Sequence, residues 1–261
     1  MLRGSDPIEA KTPFSHSTTR LFNADKILHR PKQQNGCTRE TEVCAETRNI
    51  DTLRTHSLTP KCCVENLSTL LLEASEFFVE NELFCWLDWG SLLGIVREGN
   101  LLAWDRDVDF GFHVEQEHEI FEAFASHGKT YRAENGDFGF VLESGLFYVP
   151  QSGPDYFGNP APIPRLYFSV SNRLYADLYP YYRTTASKYG MGRLGPCTYD
   201  IDGKHIESLT TLKWRGIPVF VPCLTEEYLE KRYGTDWRIP DPNFYQKYPP
   251  GSRKLLEKLY G

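Results

Sequence analysis

A mixed β-sheet flanked by helices, an α/β fold of the mixed α+β kind, is predicted by three features of this sequence. The run Phe84-Cys85-Trp86-Leu87 passes through Gly90-Ser91 into Leu92, Leu93, Ile95 and Val96, which reads as strand, turn and short helix. Soon after it, Asp105, Asp107 and Asp109 alternate with Arg106, Val108 and Phe110. Successive strand side chains point to opposite faces, so the three carboxylates share one side. Ahead of both, Val64, Leu67, Leu70, Leu71, Ala74, Phe77 and Phe78 recur at helical spacing and form the apolar stripe of an amphipathic helix.

Residues 1–60 are polar and aperiodic, with little beyond Leu21-Phe22, Ile27-Leu28 and Ile50 to bury. They are expected to form an irregular segment ahead of a folded domain over 60–261. Thr59 suits a helix cap and Pro60 the first helical position, starting a helix that reaches about Asn81. The first strand ends near Trp89. Residues 114–127 read as a second helix with Gly128 as its stop. Residues 131–134 and 138–142, joined through Asn135-Gly136, read as a hairpin. The stretch 150–164 holds five prolines and two glycines, more chain than a connector needs and of the kind that covers a binding site. Strands are expected at 166–170 and 174–178, the second carrying Asp177 between Ala176 and Leu178 and closed by Tyr179-Pro180-Tyr181-Tyr182. A hairpin over 211–221 and a helix over 225–233, ended by Gly234, complete the order.

The chain has 261 residues, 40% of them hydrophobic and 14% aromatic, which suffices for one large domain or one domain with a small appendage. A net charge of −6 and no basic stripe with interleaved aromatics exclude a dedicated nucleic-acid binder. No apolar run approaches the roughly 20 residues of a membrane span. The first residues carry no apolar signal segment, which taken literally predicts a cytoplasmic protein. Of seven cysteines, Cys85, Cys197 and Cys223 sit in apolar surroundings and are expected to be buried thiols. The other four, Cys37, Cys44, Cys62 and Cys63, cluster in the N-terminal quarter. Asn66-Leu67-Ser68 is a glycosylation sequon placed within the predicted first helix.

The acidic strand admits few chemistries. An EF-hand loop needs Gly at its sixth place and Glu at its twelfth, where this chain has Phe110 and Gln116. A solvated acidic turn is at odds with Trp104, Val108, Phe110 and Phe112 interleaved among the acids. A divalent-metal site for phosphate chemistry remains, since Mg²⁺ and Mn²⁺ prefer hard oxygen ligands and leave room for substrate phosphate. Backbone N–H groups at the Gly90-Ser91 turn and helix start supply an anion site beside it.

Gly90-Ser91 followed by these acids is the shape of the metal and phosphate motif of the nucleotidyltransferase fold. The longer string, Gly-Ser-Leu-Leu-Gly, Val-Arg-Glu-Gly and Trp-Asp-Arg-Asp-Val-Asp, resembles the LicD and fukutin family of phosphotransferases. The likeness continues through Arg165 to the Ala-Asp-Leu-Tyr-Pro-Tyr-Tyr string, and through 217–222 to a helix ending in Tyr-Gly, covering roughly 60–245. It departs from common family strings at Glu98, where His is frequent, and at Ala103, where Pro is frequent. The resemblance implies transfer of a phosphate ester from a CDP-linked donor, such as CDP-choline or CDP-ribitol, to a hydroxyl of a glycan or glycoprotein acceptor. Asp107 and Asp109 are then the Mg²⁺ or Mn²⁺ ligands, with Asp105 supporting them or binding a second ion. Asp177, the third family carboxylate, completes the metal site or accepts the proton of the attacking hydroxyl. Gly90 and Ser91 would hold donor phosphate through backbone N–H and hydroxyl, and Arg97 and Arg165 would neutralise its charge.

In the fukutin-related branch of the family a zinc-binding loop precedes the core, with cysteines spaced as Cys37, Cys44, Cys62 and Cys63 are here, over about 37–63. Adjacent cysteines pair with each other only through a strained ring, whereas tetrahedral Zn²⁺ accepts thiolates from loops of variable length. Such a closure orders a segment with too little apolar surface to fold alone. Disulfides among the four remain the rival in an oxidising compartment, and the animal relatives point to a secretory, Golgi-type lumen. Homo-oligomerisation stays open. Two rival functions are weaker. For a glycosyltransferase using Asp107-Val108-Asp109, the small-residue turn lies on the wrong side of the acids; for a non-catalytic zinc-stapled binding domain, three intact acids serve no purpose.

Overall fold

The computed structural model describes residues 36–44, 47, 58–134, 136–151, 163–191 and 200–240. The proline-rich stretch at 152–162, Asn135 and Cys197 lie outside them. In chain order the elements are α1 (Lys61–Glu80), β1 (Trp86–Leu87), α2 (Trp89–Glu98), β2 (Asp107–His113), a 3-10 turn (Val114–Gln116), α3 (Glu117–His127), β3 (Lys129–Arg132), β4 (Phe138–Val141), β5 (Phe147–Val149) and β6 (Arg165–Tyr167). There follow β7 (Tyr175–Thr185), β8 (Lys188–Met191), β9 (Asp200–Asp202), α4 (Gly203–Ile206), β10 (Leu209–Trp214), β11 (Ile217–Pro222) and α5 (Thr225–Tyr233). Among the described residues nine strands form one sheet in the order β1-β2-β7-β6-β5-β4-β3, with β8 paired to β7 and β9 to β8. Strands β2 and β7 are parallel and the other pairs antiparallel, so the sheet is mixed as predicted.

One sheet face is closed by helices. Leu67, Leu70, Leu71, Ala74, Phe77 and Phe78 of α1 are buried, the stripe that the helical spacing predicts. Phe78 meets Phe110 of β2 edge-on at 5.2 Å. Phe124 of α3 stacks between Phe77 at 4.3 Å and Tyr148 of β5 at 4.2 Å. Burying a Phe of this kind contributes about 2–3 kcal/mol. Because Val108, Phe110 and Phe112 of β2 are wholly buried, alternation sends Asp107 and Asp109 to the opposite face.

Several boundaries differ from the sequence expectations for local reasons. Thr59 does not cap α1; its hydroxyl donates to Asp105 O at 2.8 Å and its N–H to Ala103 O at 2.9 Å, and the helix begins at Lys61. Gly90-Ser91 is no turn ahead of a helix but lies inside the first turn of α2, which Asp88 caps. The strand expected at 166–170 ends at Tyr167, since Ser169 and Asn172 close a turn. The strand expected to end at 178 continues to Thr185, straight through Pro180. Leu178 N–H donates to Pro164 O on the β6 side, and residue 180 faces the same way, where β6 pairing has ended at Asp177 and β8 pairing begins at Tyr181. No ladder bond is lost there. Cys85 is buried as expected, but Cys223 is exposed, corrected by its place just past the end of β11. Asn66 is buried with its amide donating to Cys37 O at 2.9 Å, so the sequon is not presented to solvent.

Candidate active site

The site is laid out by strand register. Asp107 lies opposite Tyr175 and Asp109 opposite Asp177 across β2 and β7, while Arg165 of β6 lies opposite Asp177 on the far side. Neighbouring strands are about 4.8 Å apart, so Asp109, Asp177 and Arg165 form a row on one face, with Asp107 and Tyr175 two residues further along. Asp177 is fully buried; its Oδ1 accepts from Arg165 Nε at 2.5 Å and its Oδ2 from Tyr179 Oη at 3.2 Å. Arg165 also stacks on the Tyr175 ring, 4.7 Å from its centroid.

Helix α2 approaches the acids from the other side. A Cβ added to Gly90 would lie 2.9 Å from Asp105 Oδ2, so glycine lets the helix start sit against that carboxylate. Ser91 is buried and its Oγ accepts from Asp109 N–H at 2.9 Å, which ties the helix to the acidic strand. Arg97 is not brought into the row: it pairs with Glu98 at 2.7 Å and donates to Trp237 O at 3.3 Å.

Charge crowding marks the acids. Partial burial and the Asp177 carboxylate raise Asp107 to about 7, against the pull of Arg165 and a hydrogen bond from Tyr175. Burial, then the charges of Asp107 and Asp177, hold Asp109 well above the usual carboxylate range. Burial with Asp107 and Glu98 does the same to Asp105, opposed by Arg97. A row of hard oxygen donors that repel one another fits a divalent cation by its chemistry.

The four N-terminal thiols converge further. Cys37 Sγ is 3.5 Å from Cys62 Sγ and 3.6 Å from Cys63 Sγ, and Cys44 Sγ is 3.5 Å from Cys62 Sγ. All four lie within 4.8 Å of one another and, among the described residues, are the group whose ligand atoms meet this closely. Tetrahedral zinc with Zn–S near 2.3 Å separates its sulfurs by roughly 3.8 Å, whereas a disulfide needs about 2.05 Å. The spacing fits a metal. Burial and the neighbouring thiols push Cys37 up to about 11. Thr47 Oγ1 donates to Cys63 Sγ at 3.2 Å and Asn66 Nδ2 to Cys37 Sγ at 3.3 Å, bonds suited to stabilising thiolates.

Sequence reasoning missed Asp88. An Asp directly before a helical pattern is the usual mark of a cap, but the apolar run around it masks the signal.

A mixed, helix-flanked sheet with acids on adjacent parallel strands and a helix whose first-turn glycine lies against them is the arrangement of a nucleotidyltransferase-type domain. Residues 82–224 match the LicD/FKTN/FKRP nucleotidyltransferase domain. The chain belongs to that family. It is 30% identical over 151 residues to the "Ribitol 5-phosphate transferase FKRP" of Homo sapiens, covering 56% of this chain and 27% of that protein. It is 27% identical over 173 residues to the "Ribitol-5-phosphate transferase FKTN" of Macaca fascicularis, covering 63% of this chain and 32% of that protein. The chain therefore spans about a third or less of the length of these curated relatives. A crystal structure of the lincosamide antibiotic adenylyltransferase LnuA with lincomycin bound gives a TM-score of 0.36 at 10% identity, over 72% of this chain and 96% of that one, too slight a likeness to bear on the site.

Proposed function

We propose that this chain transfers a phospho-alditol group, with ribitol phosphate the first choice, from a CDP-linked donor to a hydroxyl of a glycan. The observation that carries the reading is the in-register placement of Asp109, Asp177 and Arg165 beside Asp107, in a family whose compared members are named ribitol-phosphate transferases. Asp107 and Asp109, supported by Asp105, would hold Mg²⁺ or Mn²⁺, which supplies charge neutralisation on the donor phosphates. Gly90, whose helix turn lies against Asp105, would bring backbone N–H groups of α2 to the same phosphates.

Asp177 takes the proton of the attacking hydroxyl as its oxygen bonds to the distal phosphorus and the bond from that phosphorus to CMP breaks. As Asp177 becomes neutral its ion pair with Arg165 weakens, and the guanidinium is freed for the phosphate. The four thiols hold one structural Zn²⁺, which staples the loop carrying Cys37 and Cys44 to the start of α1 at Cys62 and Cys63. Mass spectrometry of the nucleotide released from CDP-ribitol, CDP-choline and UDP-sugars, with Mg²⁺ or Mn²⁺ present, tests the reading. CMP from a CDP-linked donor is the expected result; UDP release alone would make the chain a glycosyltransferase, and no release from any donor would favour a binding domain.

A further inference from the structure

Asp88, fully buried just before α2, joins the acidic strand to α5, which follows the matched domain residues 82–224 and lies within the wider sequence resemblance. Its N–H donates to Asp109 O at 3.0 Å, and its carboxylate accepts from Trp89 N–H at 2.7 Å. The same carboxylate accepts from the hydroxyls of Tyr181 at 2.5 Å and Tyr228 at 2.7 Å, and pairs with Arg232 at 3.0 Å. Tyr228 and Arg232 lie one turn apart on α5. Arg232 also donates to both tyrosine hydroxyls and lies 3.9 Å over the Trp89 ring. Trp89 has φ +44°, a conformation that persists in a bulky residue only where its surroundings hold it.

The consequence falls on Asp109. Its carbonyl is held by Asp88 N–H and its N–H by Ser91 Oγ, so the backbone of one acid is pinned at two points of a single helix turn. That turn is in turn gripped by α5. A buried ion pair is a poor source of net stability, because desolvating both charges offsets their attraction, but a buried network in which Asp88 and Arg232 bond to each other and both bond to Tyr181 and Tyr228 fixes geometry closely. We infer that Arg232 and Tyr228 are positioning residues of the active site, acting through Asp88 on Asp109 and the start of α2, so that the working unit extends past residue 224 into α5. This rests on the transfer reading above.

The experiment compares the full chain with Arg232→Met, Tyr228→Phe and Asp88→Asn/Arg232→Met. CMP release from CDP-ribitol with Mn²⁺ gives kcat and KM per folded molecule, and hydrogen exchange follows peptides over 88–97 and 105–113 against a distant reference over 129–141. The expected result for Arg232→Met is a kcat lowered by about 10²-fold, as for an ångström-scale misplacement, with donor KM within threefold. Exchange should quicken over 88–97 and 105–113 alone. The double variant removes the unpaired buried charge while Asn keeps the cap, so its melting temperature should recover but its kcat should not. A double variant with kcat within twofold of the parent overturns the inference, as does Arg232→Met with unchanged exchange in both peptides. If the parent releases no nucleotide the transfer reading fails by itself, and the exchange comparison still decides whether α5 positions Asp109.

Discussion

Burial and the Asp177 carboxylate raise Asp107 to about 7, well above the usual carboxylate range. A carboxyl raised above its unfolded value binds more protons in the folded state, so stability falls as pH rises from about 4 to about 7. Above that window the ionised acids repel fully unless a cation joins them. Thermal melts with and without Mn²⁺ should therefore show a larger metal-induced rise at pH 8 than at pH 5.5. An equal rise at both would place the ion elsewhere than at these acids. Asp107→Asn removes one repelling charge and, in the proposed site, one metal ligand. Turnover is expected to fall by at least about 10³-fold, a loss comparable to removal of one charge-stabilising group, while the melting temperature without metal holds or rises. A melting temperature well below the parent's would show that the carboxylate serves the fold instead.

Phe124 shows what the helical layer contributes at the scale of elements. Stacked between Phe77 of α1 and Tyr148 of β5, it is the side chain through which α3, α1 and the sheet meet. Phe124→Ala leaves a cavity where three elements join, at a cost of about 3–5 kcal/mol. Urea denaturation should show a lower midpoint with an unchanged slope, and kcat per folded molecule should stay at the parent value because no acid touches this layer. Such elements were legible in the sequence because their periods are local: 3.6 over α1, 2 over β2. Asp177 was not legible that way, since its partnership with Asp109 is a register between strands far apart in the chain, and the family resemblance supplied it. Pro180 misled because a proline stops a strand only where its missing N–H would have been bonded. Strands β5, β8 and β9 are three or four residues long, too short to declare a period. Asp88 carries a cap signal that is hidden because the expected first strand runs on to about Trp89.

At the scale of the whole molecule the thiol cluster binds the two acid-bearing strands to the N-terminal segment. Thr47, which donates to Cys63, accepts from Arg106 at 3.0 Å, between Asp105 and Asp107. Thr38, next to Cys37, accepts from Asn172 at 2.9 Å, in the turn that leads into β7. Arg39 pairs with Glu73 of α1 at 2.6 Å and stacks 4.1 Å over Phe168. Two metal classes should therefore separate on chelation. On the proposed assignments a brief EDTA treatment should strip Mg²⁺ or Mn²⁺ from the open acids before the thiol-held ion is lost, and adding Mg²⁺ back should restore turnover at once. Removing Zn²⁺ from the thiols with a strong chelator and then alkylating them should lower the melting temperature as well. A ligand present at a hundred times its Kd contributes about 2.7 kcal/mol to the folded state. Added Mg²⁺ should not recover turnover in that case, because the residue between Asp105 and Asp107 has lost its anchor. Elemental analysis should find about one zinc per chain before treatment. A chain that holds no zinc and keeps its melting temperature after alkylation would remove the metal from the N-terminal segment and leave Arg39, Glu73 and Asn172 to hold it.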